Sequence, residues 1–267
     1  MSGNVARVRG IEMAYDDAGG GTPVVLLHGF PFDRSMWRGQ AEKLAGEFRV
    51  VAPDLRGLGE TPAGDAVATM TAMAEDVAAL LDGLGLRSVV LGGLSMGGYV
   101  AFEFVRLFPK RVRALVLADT RPQGETDEGR RTREETARRI LEEGMASVVD
   151  AMLPRLLTDD TRGRRPEVVE RLRAMILGTN PAGAAAALRA MAARRDQSGL
   201  LPEITVPTLV IVGAEDPVTP PADAEAMAAK IRGSRLVRIE GASHLSNVER
   251  PEEFDRALVD FLRDLPS

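Results

Sequence analysis

No cysteine occurs among the 267 residues, and only two are histidine. The first absence excludes disulfides and thiolate chemistry; the second argues against a histidine-rich metal site. No run of about 18 apolar residues exists, the length a membrane-crossing helix needs. Met1 to Gly10 lacks the apolar centre of a secretion signal. A net charge of -5 gives no positive field to draw a polyanion. The expectation is a soluble, cytoplasmic protein with no nucleic-acid or membrane partner. No internal repeat or low-complexity segment stands out.

Hydrophobic residues make up 45% of the chain, enough for one large α/β domain with an insertion. Short β-like runs alternate with helical patterns. They are Val5 to Arg9, Glu12 to Tyr15, Pro23 to Leu27, Phe48 to Ala52, Ser88 to Leu91, Ala114 to Ala118, Thr208 to Val212 and Arg235 to Ile239. Little more than Gly10 separates the first two, which predicts an antiparallel hairpin; helices between the later runs make those parallel. The alternation breaks between Thr120 and Leu201, where helical segments follow one another around Thr132 to Glu143, Ala146 to Leu157, Glu167 to Leu177 and Ala182 to Ala193. The chain therefore divides into a core, residues 1–120 and 201–267, and a helical cap, residues 121–200. An insertion at that point lies over the carboxyl edge of the sheet, where wound sheets keep their sites. Arg130 with Glu134, Glu134 with Arg138 and Glu135 with Arg139 are one helical turn apart, which predicts a solvated, ion-paired face.

Between the apolar run ending at Leu91 and a helical pattern from Tyr99 lies Gly93, Leu94, Ser95, Met96, Gly97. A serine between two glycines at a strand-to-helix turn is how a nucleophile is mounted on an elbow. The turn is too tight for side chains at the glycine positions, and the serine takes a strained backbone conformation. A serine hydroxyl needs a base, usually histidine. His244, in the loop between the last strand and the helix beginning near Pro251, is the candidate base. His28 precedes Gly29, Phe30 and Pro31 and is expected to hydrogen-bond that loop into shape. The amides of Phe30 and Met96 are then the donors for a developing oxyanion. The carboxylate that orients the base is Asp216, after the strand Thr208 to Val212, with Asp119 and the adjacent Glu215 as rivals. Asp54 organises a glycine-rich turn through its side chain.

At these residues the chain resembles the α/β-hydrolase superfamily, and within it the bacterial carboxylesterases related to 3-oxoadipate enol-lactonases. The resemblance covers nearly the whole core: His28 to Pro31; Pro53, Asp54, Arg56, Gly57 and Gly59; the elbow; Gly213 to Asp216; and Gly241 to His244. The chain order Ser95, Asp216, His244 is that family's order. It implies an α/β-hydrolase fold, with a mostly parallel eight-stranded sheet flanked by helices and a helical cap after the sixth strand. It also implies cofactor-free, metal-free cleavage of a small-molecule carboxylic ester through an acyl-enzyme on Ser95. Lactonase, cofactor-free perhydrolase and a non-catalytic small-ligand receptor remain as alternatives; a serine on the elbow argues against epoxide hydrolase and dehalogenase chemistry. Met145, Met152, Leu153, Leu156, Leu157, Met175, Ile176 and Leu177 either line an acyl pocket or form the core of the cap, mostly the latter. A compact cap of this kind suggests short or medium acyl chains.

Overall fold

The computed structural model describes residues 3–65 and 67–266. Two antiparallel strands open the chain, β1 (Gly3–Val8) and β2 (Ile11–Ala18). They are followed by β3 (Thr22–Leu27), α1 (Arg38–Leu44), β4 (Phe48–Pro53), α2 (Met70–Gly83), β5 (Val89–Leu94), α3 (Met96–Leu107) and β6 (Val112–Ala118). Five helices then intervene: α4 (Asp127–Glu143), α5 (Ala146–Leu156), α6 (Asp159–Arg164), α7 (Pro166–Gly178) and α8 (Pro181–Ala192). The chain returns through β7 (Thr208–Gly213), α9 (Pro221–Lys230), β8 (Arg235–Ile239), α10 (Ser246–Glu249) and α11 (Pro251–Arg263).

The eight strands form one sheet in the order β1-β2-β4-β3-β5-β6-β7-β8. Pairing is parallel from β4 through β8, and β2 meets β4 antiparallel. Helices cover both faces, so the central strands are apolar along their whole length rather than alternating. All six residues of β5 and of β7 are buried. Register aligns the carboxyl ends: Leu27 pairs with Gly93, Leu94 with Ala118, Ala118 with Ile211, and Gly213 with Ile239. Five loops, after β3, β5, β6, β7 and β8, therefore leave one edge side by side.

The flanking helices follow ordinary sequence rules. In α11, Phe254, Leu258, Phe261 and Leu262 repeat at helical spacing and are the buried face. Pro251 starts that helix, Glu252 and Glu253 sit at its positive end, and Arg263 at its negative end. Phe254 packs on Trp37, ring centroids 6.0 Å apart. The helix α2 has Thr69 as its N-cap, accepting from the Ala72 amide at 2.9 Å. Its apolar spacing of Met70, Met73, Ala74, Val77, Leu80 and Leu81 marks a buried face that the sequence analysis passed over.

The α4 surface is ion-paired as expected, but with other partners. Arg130 takes Asp127 at 2.9 Å, and Glu134 reaches across to α8, where Arg189 grips both its oxygens at 2.9 Å. A two-pronged guanidinium–carboxylate fork between helices outcompetes a single contact along one helix. Of the apolar residues of the helical segment, Met145, Leu153, Leu156, Leu157 and Ile176 are buried; Met152 and Met175 are half-buried. Leu177 is 47% exposed, so it belongs neither to a pocket nor to the segment's core. It sits on the outer face of α7, one position on from the buried Ile176.

Candidate active site

Ser95 is the N-cap residue of α3, at φ 53 and ψ −113, a conformation rare for any residue with a side chain. Its neighbours explain how the strain is held. A Cβ at Gly93 would lie 2.3 Å from the Gly97 backbone, and one at Gly97 would lie 2.2 Å from the Leu27 carbonyl oxygen. The elbow thus touches β3 on one side and its own helix on the other. Ser95 N donates to Ala118 O at 3.0 Å, and Thr120 Oγ1 donates to Ser95 O at 2.8 Å, which pins the strained residue to β6.

Asp216 and His244 arrive from the loops after β7 and β8. The imidazole Nε2 lies 2.8 Å from Ser95 Oγ, and Nδ1 lies 2.8 Å from Asp216 Oδ2. Asp216 also accepts from the amides of Val218 and Thr219, at 2.7 and 3.0 Å, and from Thr219 Oγ1 at 2.6 Å. Burial works to raise its pKa, yet the imidazole and the Thr219 hydrogen bonds outweigh it and hold Asp216 below the usual carboxylate range. An ionised Asp216 keeps the proton on Nδ1, so the Nε2 lone pair faces the serine hydroxyl.

The loop after β3 passes against the serine. A Cβ at Gly29 would lie 3.5 Å from Ser95 Cβ. Among the described residues, the N–H groups of Phe30 and Met96 donate no backbone hydrogen bond. At Met96 this follows from its place at the first position of a helix, where amides have no intrahelical acceptor. His28 is fully buried and bridges two loops: Nε2 accepts from Leu55 N at 2.9 Å, and Nδ1 donates to Gly29 O at 2.9 Å. Burial lowers its pKa against the pull of Asp54, so the ring is neutral, as that pair of hydrogen bonds requires. From the helical segment, Thr179 Oγ1 donates to Pro31 O at 2.7 Å. Asp54 accepts from Arg34 N at 2.7 Å and Glu60 N at 2.8 Å, closing the turn through Gly59.

Of the rival acids, Glu215 contacts this cluster, among the described residues, through its backbone, its amide donating to Ala242 O at 2.9 Å and its carbonyl accepting from Ser243 Oγ at 3.5 Å. Asp119 is fully buried, and its carboxylate engages Gly213 N and Ser246 rather than the imidazole. Burial, then the charge of Asp216, push its pKa up to about 7. Among the described residues no group of three or more histidine, aspartate or glutamate side chains converges as a metal ion would require. No helix among them is long and apolar enough to cross a membrane.

Sequence reasoning missed Thr219 and Glu249. Glu249 is 1% exposed: one oxygen accepts from Thr158 N and Oγ1 at 2.8 and 2.9 Å, the other from Ser243 N at 2.6 Å. It joins the helical segment to the residue before His244. Nothing in the sequence sets it apart from the exposed Glu252 and Glu253 nearby. The segment's two ends are also tied together. Glu125 accepts from Arg133 Nε at 2.6 Å and Arg194 Nη1 at 2.8 Å, Gln197 N donates to Pro122 O at 2.8 Å, and the Arg194 guanidinium lies 4.4 Å over the Tyr99 ring.

The α/β hydrolase fold family model matches residues 22–251. A 3-oxoadipate enol-lactonase from Acinetobacter baylyi is 30% identical over 242 residues, 91% of this chain and 89% of that protein. Among solved structures, a thermophilic esterase from Thermogutta terrifontis, solved with malate bound, is similar at 45% identity and a TM-score of 0.96, covering 100% of both chains. The enol-lactonase from Burkholderia xenovorans is similar at 34% identity and a TM-score of 0.91, covering 98% of this chain and 100% of that one.

Proposed function

The chain belongs to the α/β-hydrolase family and is related to the enol-lactonases, and from that premise we propose that it is a carboxylic ester hydrolase acting through an acyl-enzyme on Ser95. The observation that carries the proposal is the unbroken line from Ser95 Oγ to His244 Nε2 and from His244 Nδ1 to Asp216 Oδ2, each step 2.8 Å. In this reading Oγ attacks the ester carbonyl as its proton passes to Nε2, and Asp216 balances the imidazolium that forms. The Phe30 and Met96 amides hold the oxyanion in place of the solvent they would otherwise need. The imidazolium returns its proton to the departing alkoxide. Water, activated by the same base, then releases the acid from Ser95.

Residues 121–200 serve as the cap in this proposal, and short to medium acyl esters as the substrates. A second reading, lactone opening, is favoured by the relatives that are enol-lactonases; it needs the same side chains and differs only in that alcohol and acid stay joined. The test is turnover of nitrophenyl butyrate and of a lactone panel by the wild type and by Ser95→Ala. The variant is expected to lose about 10⁴ to 10⁶ in kcat, and a fluorophosphonate should label the wild type alone. Retention of a tenth of the activity by Ser95→Ala would end the proposal, and a preference for lactones over esters would select the second reading.

A further inference from the structure

The carboxylate of Asp119 is built into the back of the site without touching any of the three side chains assigned above. It follows β6 at φ 44, an unusual conformation outside glycine, and its own amide is tied to Ile211 O at 2.9 Å. Oδ1 accepts from Gly213 N at 2.8 Å, three residues before Asp216. Oδ2 accepts from Ser246 N at 3.3 Å and faces Ser246 Oγ at 2.5 Å, two residues after His244. One buried carboxylate therefore spans the loop that carries the acid and the loop that carries the base.

Its charged surroundings are few. From the loop after β7 it meets Asp216, and from the loop after β8 His244. On α10, Glu249 is turned away to Thr158 and Ser243 N. Along its own strand end, Arg121 is directed to Glu125 and Asp223, at 3.6 and 3.8 Å. Among the described residues Asp119 makes no ion pair with lysine or arginine, so the cation its charge meets is the imidazolium of His244. A buried carboxylate with no standing counter-charge is costly to ionise, and is most easily ionised at the moment the imidazole takes up a proton.

We propose, on the reading of Ser95 and His244 given above, that Asp119 is a positioning residue for the base: it fixes the acid and base loops relative to each other and places a second negative charge behind the imidazole. A carboxylate near an imidazole favours its protonated form. Asp119→Asn keeps the size and two of the three hydrogen bonds: Oδ1 still accepts from Gly213 N and Nδ2 donates to Ser246 Oγ, while Ser246 N loses its acceptor. Ser246→Ala keeps the carboxylate and loses only the hydroxyl.

The experiment is the pH profile of kcat/KM for the wild type and both variants, beside their melting temperatures. Asp119→Asn is expected to move the acid limb to lower pH by about half a unit or more, while Ser246→Ala lowers the melting temperature and leaves the limb in place. An Asp119→Asn limb that stays put or rises overturns the proposal, whatever the change in stability, because a purely structural tie does not alter the proton affinity of the base. Failure of the Ser95 reading is separate, since it shows as activity surviving in Ser95→Ala.

Discussion

Gly97→Ala puts the apposition of the elbow and the β3 loop to a quantitative test. The added Cβ would lie 2.2 Å from Leu27 O, 2.7 Å from Leu27 C and 2.9 Å from His28 O, all backbone atoms. Contacts under 3.0 Å are essentially never made by real Cβ atoms. The start of α3 and the end of β3 must therefore separate by about 0.8 Å, the difference between 3.0 and 2.2 Å. Met96 lies next to Gly97, and Phe30 lies two residues beyond His28, so that separation divides the two proposed oxyanion donors. A misplacement of about 1 Å in reacting groups costs on the order of 10² in rate, comparable to losing one donor outright. The expected result is a fall of about 10² in kcat with KM nearly unchanged, together with about 1–3 kcal/mol of lost stability from overpacking. Gly83→Ala is the control: its Cβ meets nothing within 4 Å, so it should gain about 0.4–1 kcal/mol by restricting the unfolded chain. Nitrophenyl butyrate kinetics and thermal melts measure both. If Gly97→Ala is destabilised yet keeps kcat within about twofold of the wild type, the contact stabilises the fold without positioning the donors, and the reasoning fails.

Glu249→Gln leaves one acceptor where two are needed, so either Ser243 N or Thr158 N loses its partner; a loss of about 1–3 kcal/mol is expected. Faster hydrogen exchange should appear both in α6 and in the loop around His244, and exchange confined to one of them would refute the link. Glu125 is held at a pKa of about 2: burial acts to raise it, but hydrogen bonds from Arg194 and Arg133 outweigh that and bring it below its ordinary 4.5. Because the folded value is the lower one, its stabilisation is complete above 4.5 and disappears as pH falls toward 2. At pH 7 Glu125→Gln should be less stable by about 3 kcal/mol. Denaturation at a series of pH values should show that gap closing below 4.5, and a gap of constant size would refute the assignment.

Much of this arrangement was legible because its chemistry demands particular residues at particular turns. Gly93 and Gly97 are glycines because backbone occupies the space of their side chains, and that requirement shows in the sequence as the flanks of Ser95. The eight-stranded sheet was legible because runs such as Val89 to Leu91 and Thr208 to Val212 must be apolar on both faces. Thr69 followed by helically spaced apolar residues was an equally plain signal for α2. The ties between loops were not legible. Asp119 and Glu249 act through partners 127 and 91 residues away in the chain, and no local pattern marks a carboxylate that faces inward. Nor does spacing along α4 reveal that Glu134 prefers Arg189 on another helix.

The stitched neck of the helical segment has a consequence for how such proteins change. Departure near Pro122 and return near Gln197 are joined by a direct backbone hydrogen bond of 2.8 Å, so everything between is a loop already closed on itself. Closing a loop costs chain entropy that grows only slowly with its length, and here that cost is met at the base. A replacement of quite different size could be spliced between the same two points without disturbing the sheet. It would need to restore the outside anchors, among them a hydroxyl for Pro31 O, a donor pair for the Glu249 carboxylate, a guanidinium for the Glu249 carbonyl and another over Tyr99. If the segment caps the site as proposed, exchanging this cassette would change substrate preference while the elbow and its histidine stay untouched.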